Sequence, residues 1–385
     1  MHFISAKSTI TDPYRAGFEL GTAIAPLAPE VVILFASISY KPDFSDFFEA
    51  LYDALGSNSI IIFGGTGDGI YETSGAENYG VSALGINSGG KVNWTVSMES
   101  GVAADSFGAA KKCARKALMA CPDANCFRMV LADGVHTDGH ALINGIMAEI
   151  PGLFFGGLTG DDRKFTSSKV FVNGLEYEDV VAILCGSGEI GFAINAASGW
   201  TPVGNTGVVE DLQGCEIRSI SGLPAQEFMA LETGKPLLES DLGVVPLAAY
   251  MEGSSEHFCL RTSSHMNPDT GSITTFGSVD AGCAVRVCTA SREDVLRGVE
   301  DTLDGLSPES LGFMPSAAII ISCAGRKWLM SDRGEKELEL LQQRLGNNIK
   351  LVGFPSFGEI SPFRRSGNYT AVSFHNVTFV VCLIG

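Results

Sequence analysis

Short apolar runs recur along the chain, and each is followed by an amphipathic stretch and a second apolar run. The leading runs, at 31–35, 128–131 and 317–321, are rich in aliphatic and β-branched residues and predict buried strands. The stretches at 43–55, 138–149 and 332–345 begin with an acidic residue and predict helices. The second runs, at 60–63, 152–155 and 349–352, predict further strands. The pattern therefore predicts three strand–helix–strand modules.

A last apolar run closes each module, at 81–86, 180–184 and 377–384. Two strands joined through a helix are parallel with a right-handed crossover, so the loops that leave their carboxyl ends lie at one edge. Open α/β sheets usually bind ligands at that edge. We therefore expect an α/β fold of repeated modules with mostly parallel or mixed sheets, and a ligand site among the loops.

Glycine-rich loops follow the second strand of the modules. They read Phe63-Gly64-Gly65-Thr66-Gly67-Asp68, Phe155-Gly156-Gly157-Leu158-Thr159-Gly160-Asp161 and, more distantly, residues 352–360. Glycine permits close backbone approach, and successive free N–H groups can cradle an oxygen-rich ligand. The acids in these loops argue against a naked phosphate, and no Walker A lysine is present. Alternatively, the glycines make tight strand exits and the acids cap nearby amides.

A different pattern occupies residues 199–315. Short strands are predicted at 215–220, 248–250, 258–262 and 284–288, helices at 224–232 and 292–303, and a loop at 262–268. This is an α+β segment ahead of the third module. We place the boundary near residue 195, which gives an N-terminal domain of residues 1–195 and a C-terminal domain of residues 196–385.

Composition narrows the class of protein. The chain has 385 residues, 45% of them hydrophobic, and a net charge of −18, which disfavours nucleic acid and anionic membranes as partners. The first residues lack the apolar core of a signal peptide, and no apolar run approaches the ~20 residues that span a bilayer. We expect a cytoplasmic protein. The ten cysteines form no Cys-x-x-Cys pair, so most are expected to be reduced core residues. Cys121 with Cys126 and Cys283 with Cys288 have the wrong spacing for a zinc knuckle.

Several short motifs carry a family resemblance. They are Phe155-Gly156-Gly157-Leu158-Thr159-Gly160-Asp161-Asp162, Val170-Phe171-Val172-Asn173-Gly174, Gly199-Trp200 with Pro202-Val203-Gly204, Gly222-Leu223-Pro224-Ala225, Ser322-Cys323-Ala324-Gly325-Arg326, Gly358-Glu359-Ile360 and Phe374-His375-Asn376-Val377-Thr378. In this order they are similar to the FIST N-terminal and FIST C-terminal domains of FIST sensory proteins. The loop at 65–70 departs from the family's Gly-x-Ser-Thr-x-Gly-Glu-Ile pattern.

The resemblance implies a ligand-sensing protein of signal transduction. Its relatives are fused to, or work beside, histidine kinases, chemotaxis receptors and cyclic-di-GMP enzymes. The two sensory domains account for residues 20–385, so we expect the signal to pass to a separate partner protein. The family's proposed ligands are small molecules such as amino acids, and one standalone branch is described as binding haem and sensing nitric oxide.

The third module supplies the sharpest predicted site. Ser322, Cys323 and Arg326 leave its first strand and Glu359 leaves its second, so parallel geometry brings them to one edge. Arg326 would grip a carboxylate and Glu359 would receive an amino group, as an amino acid requires. Alternatively, Arg326 and Glu359 form an internal salt bridge. The other predicted ligand-binding residues are Asp161, Asp162, His375 and Asn376.

Histidines decide whether haem is plausible, because imidazole is a common ligand of haem iron. The candidates are His136, His140, His257 and His265. His136 and His140, with Asp133 and Asp138 nearby, also permit a divalent metal, although helix capping by Thr137 or Asp138 explains the same residues.

An enzyme is the alternative class. Cys323 after a strand, with His375 as base, has the residue types of a thiol nucleophile, and the glycine-rich loops offer oxyanion donors. No nucleophile elbow, metalloprotease motif or kinase motif is present, so a sensor is preferred.

Overall fold

The computed structural model describes residues 1–250, 258–307, 310–331, 334–346, 348–365 and 367–385. The helices are α1 (Pro13–Ile24), α2 (Phe44–Leu55), α3 (Ser106–Ala120), α4 (Gly139–Met147), α5 (Ala225–Thr233), α6 (Arg292–Asp304), α7 (Ala324–Met330) and α8 (Glu335–Leu345). Side-chain caps fix the N-termini of several helices. Asp138 Oδ1, for example, accepts the N–H groups of His140 and Ala141 where α4 begins.

The strands have the following bounds: β1 (His2–Ser8), β2 (Val31–Ser37), β3 (Ile61–Gly67), β4 (Ile70–Glu72), β5 (Gly75–Glu77), β6 (Val81–Asn87), β7 (Val92–Ser100), β8 (Phe127–Ala132), β9 (Phe155–Leu158), β10 (Val170–Val172), β11 (Leu175–Tyr177), β12 (Val180–Gly188), β13 (Phe192–Ala197), β14 (Thr201–Gln213), β15 (Glu216–Ile220), β16 (Leu223–Pro224), β17 (Leu247–Tyr250), β18 (Phe258–Arg261), β19 (Ser263–Asn267), β20 (Ser272–Thr275), β21 (Ala284–Thr289), β22 (Ala317–Cys323), β23 (Lys350–Ser356), β24 (Gly358–Ser361), β25 (Arg364–Arg365), β26 (Asn368–Tyr369), β27 (Ser373–His375) and β28 (Phe379–Ile384).

Three mixed sheets confirm the predicted α/β modules. The pairs β2 and β3, β8 and β9, and β22 and β23 are parallel, as the helical connections require. The strands β6, β12 and β28 then pair antiparallel with β2, β8 and β22. The helix predicted at 332–345 corresponds to α8, which begins at Glu335. Residues 332–333 lie outside the described residues. The short helix α7 was not predicted.

The three modules exchange strands in a closed cycle. The hairpin β4–β5 of the first module pairs with β23 of the third, and β24 with β27 of the third pairs with β9 of the second. The hairpin β10–β11 of the second completes the cycle by pairing with β3 of the first. Each sheet therefore contains strands from two modules. Residues 195 and 196 lie inside β13, which pairs with β28, and the division of the chain at that point stays a prediction.

One hydrophobic core is common to all three sheets. Phe35, Phe155 and Ile319 represent the three sheets in this cluster, and each is fully buried. Phe35 of the first module stacks on Phe354 of the third with 4.3 Å between ring centroids. The helices cover the outer faces of the sheets, so each sheet is buried on both sides and its central strands are apolar throughout.

The three loops that leave β3, β9 and β23 meet and bond to one another. Asp68 N–H donates to the Pro355 carbonyl, Gly160 N–H donates to the Thr66 carbonyl and Phe357 N–H donates to the Leu158 carbonyl. These positions are equivalent in the three modules, so the bonds form a cycle. Loop N–H groups that were predicted to be open to a ligand are therefore used inside the protein.

The α+β segment contains the strands β14 to β21. They form one sheet in the order β18-β17-β21-β14-β15-β20-β19, with β16 paired to β15. The strands and helices predicted at 215–303 are confirmed within a few residues. The loop predicted at 262–268 is wrong, because Ser263–Asn267 forms β19 against β20. The polar residues of this edge strand carried no hydrophobic alternation that would have indicated it.

None of the described helices has the length and apolar character needed to cross a bilayer. All ten cysteines are unpaired; eight are buried, and Cys215 and Cys283 are partly exposed.

Candidate functional site

Arg326 is fully buried and its guanidinium is bonded within the protein. Its Nη2 lies 2.7 Å from Glu337 Oε1 and also donates to the Val295 carbonyl at 2.9 Å. Nη1 donates to the carbonyls of Ser198 and Val377. The partner carboxylate is therefore Glu337 on α8 and not Glu359, so the alternative of an Arg326–Glu359 salt bridge is not formed.

Glu359 is also fully buried, and its two oxygens accept hydrogen bonds. Ser356 Oγ donates to Oε1 at 2.5 Å, and the backbone N–H and Oγ1 of Thr378 donate to Oε2 at 3.1 and 3.0 Å. Burial raises the pKa of the Glu359 carboxyl to about 8, so it is largely protonated at neutral pH. A neutral carboxyl is poorly suited to receive the ammonium group of an amino acid.

Ser322 and Cys323 end β22 beside Arg326 and are buried. Ser322 Oγ lies 3.4 Å from Glu337 Oε2. Burial, with the Glu359 carboxyl nearby, raises the pKa of the Cys323 thiol well above its usual value. Nucleophilic cysteines need a lowered pKa, so this environment does not favour the thiol-enzyme alternative.

Asp161 organises its own loop. Its Oδ1 accepts the Phe165 N–H at 2.8 Å, and its Oδ2 accepts the N–H groups of Thr166 and Ser167 at 2.7 and 3.0 Å. Asp162 is partly exposed, and its carboxylate approaches Ser39 Oγ at 3.5 Å. Asp161 is thus used for loop structure, as the capping alternative described.

Asp68 of the first loop is brought near Asp162. Burial raises the pKa of Asp68 to about 6 against the opposing effect of Lys327, whose ammonium donates to the Asp68 carbonyl. Burial in turn lowers the pKa of Lys327. The loop edge therefore holds a compact group of charges, and Asp68 Oδ1 within it is buried with no hydrogen-bond partner among the described residues.

Asn376 ties the α+β segment to the third loop. Its Oδ1 accepts the Thr262 N–H at 3.0 Å and its Nδ2 donates to the Phe357 carbonyl at 3.2 Å. The side chain is fully buried. Its role as a fixed connection leaves no polar atom free for a ligand.

A cavity of about 460 Å³ lies where the α+β segment meets β13 and the third module. One side is formed by Trp200, Phe258 and Leu260 of the α+β segment, and the other by Phe363 and His375. Further lining residues are Asn195, Ala196, Ala197, Ser198, Gly199, Thr201, Asp294, Arg297, Asp301, Arg364, Arg365, Thr370, Ala371 and Thr378. A concave, largely apolar cavity at such a junction is typical of small-molecule sites. We call it the junction cavity.

His375 lies on the wall of the junction cavity. Burial, with Arg261 nearby, lowers the pKa of His375 to about 3, so the imidazole is neutral. The ring bonds to the Ser361 backbone and packs 4.7 Å from the Phe363 ring. Its Nε2 is buried and has no hydrogen-bond partner among the described residues. Buried polar atoms are nearly always bonded, so His375 is a candidate polar contact at this cavity.

Charged residues lie at the rim of the junction cavity. Arg297 pairs with Asp294 at 3.0 Å and both are partly exposed. Arg364 donates to the Gly305 and Ser310 carbonyls at 2.6 and 2.8 Å, so it is committed to structure. Arg365 is exposed beside it. The rim thus combines guanidinium groups with the carboxylates of Asp294 and Asp301.

The predicted haem histidines lie elsewhere. His136 is 47% exposed and its Nδ1 bonds Asp133 Oδ2 at 3.0 Å. His140 has both ring nitrogens engaged, by Asn144 at 3.2 Å and Arg261 at 3.4 Å. His265 is exposed on β19, and His257 lies outside the described residues. None of the three described candidates lines the junction cavity.

The remaining cavity residues were not predicted as a site. Trp200 belongs to a motif noted in the sequence, but nothing in the linear pattern placed it opposite His375. Arg364 and Arg365 follow the Glu359 motif closely, and two adjacent arginines in an acidic chain are the signal that was available. Their role depends on the packing of the α+β segment, which no local pattern encodes.

Fold and cavity define a mixed α/β protein of interlocked modules with a ligand-sized cavity. Residues 30–223 match the family model of the FIST N domain and residues 222–362 that of the FIST C domain, so the chain belongs to the FIST family. FIST domains are associated with signal transduction through the sensing of small ligands.

Other comparisons are weak. No curated protein shows significant similarity. Cyanuric acid hydrolase from A. caulinodans is 9% identical with a TM-score of 0.39, covering 100% of this chain and 98% of that chain. PurL from T. maritima in complex with FGAR is 11% identical with a TM-score of 0.23, and the match covers 100% of this chain and 72% of that chain. These scores bear on neither fold nor activity.

Proposed function

We propose that this FIST protein senses a small molecule bound in the junction cavity and passes the signal to a separate partner. A histidine kinase, a chemotaxis receptor or a cyclic-di-GMP enzyme is the class of partner we propose. The observation that carries the proposal is His375, a buried neutral imidazole on the cavity wall whose Nε2 has no partner among the described residues.

The cavity walls define the chemistry of the ligand. Trp200, Phe258 and Phe363 suit a flat apolar body. The neutral His375 offers an acceptor to a ligand N–H or O–H, and Arg365 and Arg297 at the rim suit a carboxylate. An aromatic carboxylate or aromatic amino acid combines these features. Arg326 and Glu359, the pair predicted from the sequence to hold an amino acid, are bonded within the protein.

Ligand binding would act on the packing of the α+β segment. The cavity has one wall on that segment and one on the modules, so a ligand contacts both. A ligand shifts a conformational equilibrium only if it binds the two states differently. A molecule that bridges the two walls meets that condition, because moving the segment separates its contacts.

A thermal-shift screen of aromatic carboxylates and amino acids, followed by calorimetric titration, tests the proposal. A ligand at about 100 times its Kd stabilises the folded state by about 2.7 kcal/mol. We expect that stabilisation to be lost in His375→Ala and reduced in Arg365→Ala, and retained in the control His136→Ala. Binding that survives His375→Ala unchanged in a folded protein would contradict the junction cavity as the site.

Haem is a second candidate, and the same histidine favours it. A metal-ligating histidine usually donates its other ring N–H to a carbonyl or carboxylate, and His375 bonds the Ser361 backbone while Nε2 has no partner within the described part of the chain. Phe258 and Phe363 suit the faces of a porphyrin, and Arg365 suits its propionates. Haem bound there would supply an iron able to take up nitric oxide.

A UV-visible titration with haem separates the two candidates. We expect a sharp Soret band that shifts with nitric oxide and disappears in His375→Ala, while His136→Ala, His140→Ala and His265→Ala keep it. A broad band that is unchanged in His375→Ala would indicate loosely associated haem and would leave the organic ligand as the proposed function.

A further inference from the structure

Three cysteine side chains from separate parts of the chain meet behind the second sheet. Cys121 follows the end of α3, Cys126 precedes β8, and Cys185 lies on β12. Their three Sγ atoms lie within 4.8 Å of one another, and all three residues are buried. The sequence spacing of Cys121 and Cys126 did not indicate a metal site, because the third sulfur comes from a strand about sixty residues further along.

We propose that Cys121, Cys126 and Cys185 form a three-thiolate site for a soft monovalent metal ion, Cu(I). An ion about 2.3 Å from three coplanar sulfurs places the sulfurs about 4 Å apart, which the observed group accommodates. Thiolate ligands select soft ions such as Cu(I) and zinc. Structural zinc is almost always four-coordinate, and the group contains no fourth ligand among the described residues. A three-coordinate ion therefore fits better.

Arg128 supplies a charge that matches this site. It is buried, and it lies two residues after Cys126 at the start of β8. Its Nη1 and Nη2 donate to the carbonyls of Ala124 and Asp123, while its Nε has no partner among the described residues. Three thiolates around Cu(I) carry two net negative charges, and a buried cation beside them lowers the cost of that charge.

The binding step balances without any redox change. Each thiol loses its proton to solvent, each sulfur donates one electron pair to the ion, and copper stays as Cu(I). Residues 122–125, which connect Cys121 to Cys126, are exposed. Opening that short loop would admit an ion without disturbing β12.

The test is an anaerobic titration of the full chain with Cu(I) against the chelator bathocuproine disulfonate. We expect one Cu(I) per chain to be removed from the chelator, and affinity to fall at least 100-fold in Cys126→Ser and in Cys185→Ser. Cys113→Ser is the matched control. Cys113 lies on α3 in the same hydrophobic cluster but bonds the Ser97 and Val181 carbonyls at 3.5 Å.

X-ray absorption of the copper-loaded wild type makes the proposal independent of the variants' folding. Three sulfur neighbours at about 2.3 Å are expected. The proposal would be overturned if the chelator kept all the copper, or if Cys113→Ser lost as much Cu(I) affinity as Cys126→Ser and Cys185→Ser. A first coordination shell dominated by nitrogen or oxygen would also overturn it. Binding of one zinc ion but no copper would overturn the assignment to Cu(I).

Discussion

Arg326 and Glu337 form a buried ion pair, with 2.7 Å between Nη2 and Oε1, that holds four parts of the chain together. Glu337 lies on α8 and Arg326 on α7, while the same guanidinium bonds the carbonyls of Ser198 before β14 and Val295 on α6. The pair thus connects the third module to the α+β segment on one side of the junction cavity. Its role is to fix the wall of the cavity.

Removing one member of this pair is expected to destabilise the protein strongly. Glu337→Gln leaves the buried Arg326 guanidinium without its counter-charge, and breaking a buried pair in this way costs about 3–5 kcal/mol. Urea unfolding followed by tryptophan fluorescence measures the change. The control is Glu339→Gln on the same helix, whose partner Lys336 is exposed and whose loss should cost at most about 1 kcal/mol. Equal losses in the two variants would contradict the role given to Arg326.

Glu359 is expected to make stability fall as pH rises. Its pKa is about 8 in the folded protein against 4.5 unfolded, so between these values the folded state binds the extra proton. The free energy of unfolding then decreases by up to about 1.4 kcal/mol per pH unit across that window, and the stabilisation is complete only below it. Glu359→Gln keeps a neutral side chain and should lack this slope. If the free energies of unfolding of wild type and Glu359→Gln change in parallel from pH 5 to 8, the raised pKa of Glu359 is contradicted.

His375 is expected to make stability decrease as pH falls below neutral, which is opposite to the effect of Glu359. Its pKa is about 3 when folded against 6.5 unfolded, so the unfolded state binds the extra proton between these values. Stability from this group is complete above pH 6.5 and decreases by up to about 1.4 kcal/mol per unit as pH falls. Unfolding of wild type and His375→Gln from pH 7 to 5 measures it. A wild-type curve no steeper than the variant's would show that the imidazole is not held neutral.

Local sequence patterns predicted the strands that are buried on both faces. The aliphatic runs of β2, β8 and β22 need only their own hydrophobicity to be recognised, and the helix between each strand pair fixed the parallel direction. The exchange of hairpins between modules was not predictable in this way. The short strands β4, β10 and β24 pair with strands from another module, and their own sequences do not indicate which strand they pair with.

The candidate site likewise has features that local sequence predicts and features that depend on tertiary packing. The sequence identified Arg326, Glu359 and His375 as residues that would lie near one edge of the third module. It did not identify Glu337 as the partner of Arg326, because an acid in a charged helix looks like an exposed residue until tertiary packing buries it. His375 was predicted as a ligand-binding residue and, in the enzyme alternative, as a base. Its free nitrogen and its cavity depend on β18 and α6, which pack from the α+β segment.

Gly156 is expected to be irreplaceable where β9 pairs with β8. A Cβ at this position would lie 1.8 Å from the Val130 carbonyl oxygen, and the equivalent Gly64 and Gly353 face Leu34 and Ile320 carbonyls at 1.7 and 2.1 Å. Neither strand can move away, because both are buried in the shared core, so Gly156→Ala should cost more than about 3 kcal/mol. Gly334→Ala is the control. Among the described residues, the nearest neighbour of a Cβ there would be the Ser331 carbonyl at 3.6 Å, and φ is −57°, so alanine should change stability by less than about 1 kcal/mol. Urea midpoints of both variants measure the difference, and a Gly156→Ala protein as stable as Gly334→Ala would contradict the close strand packing that joins each module.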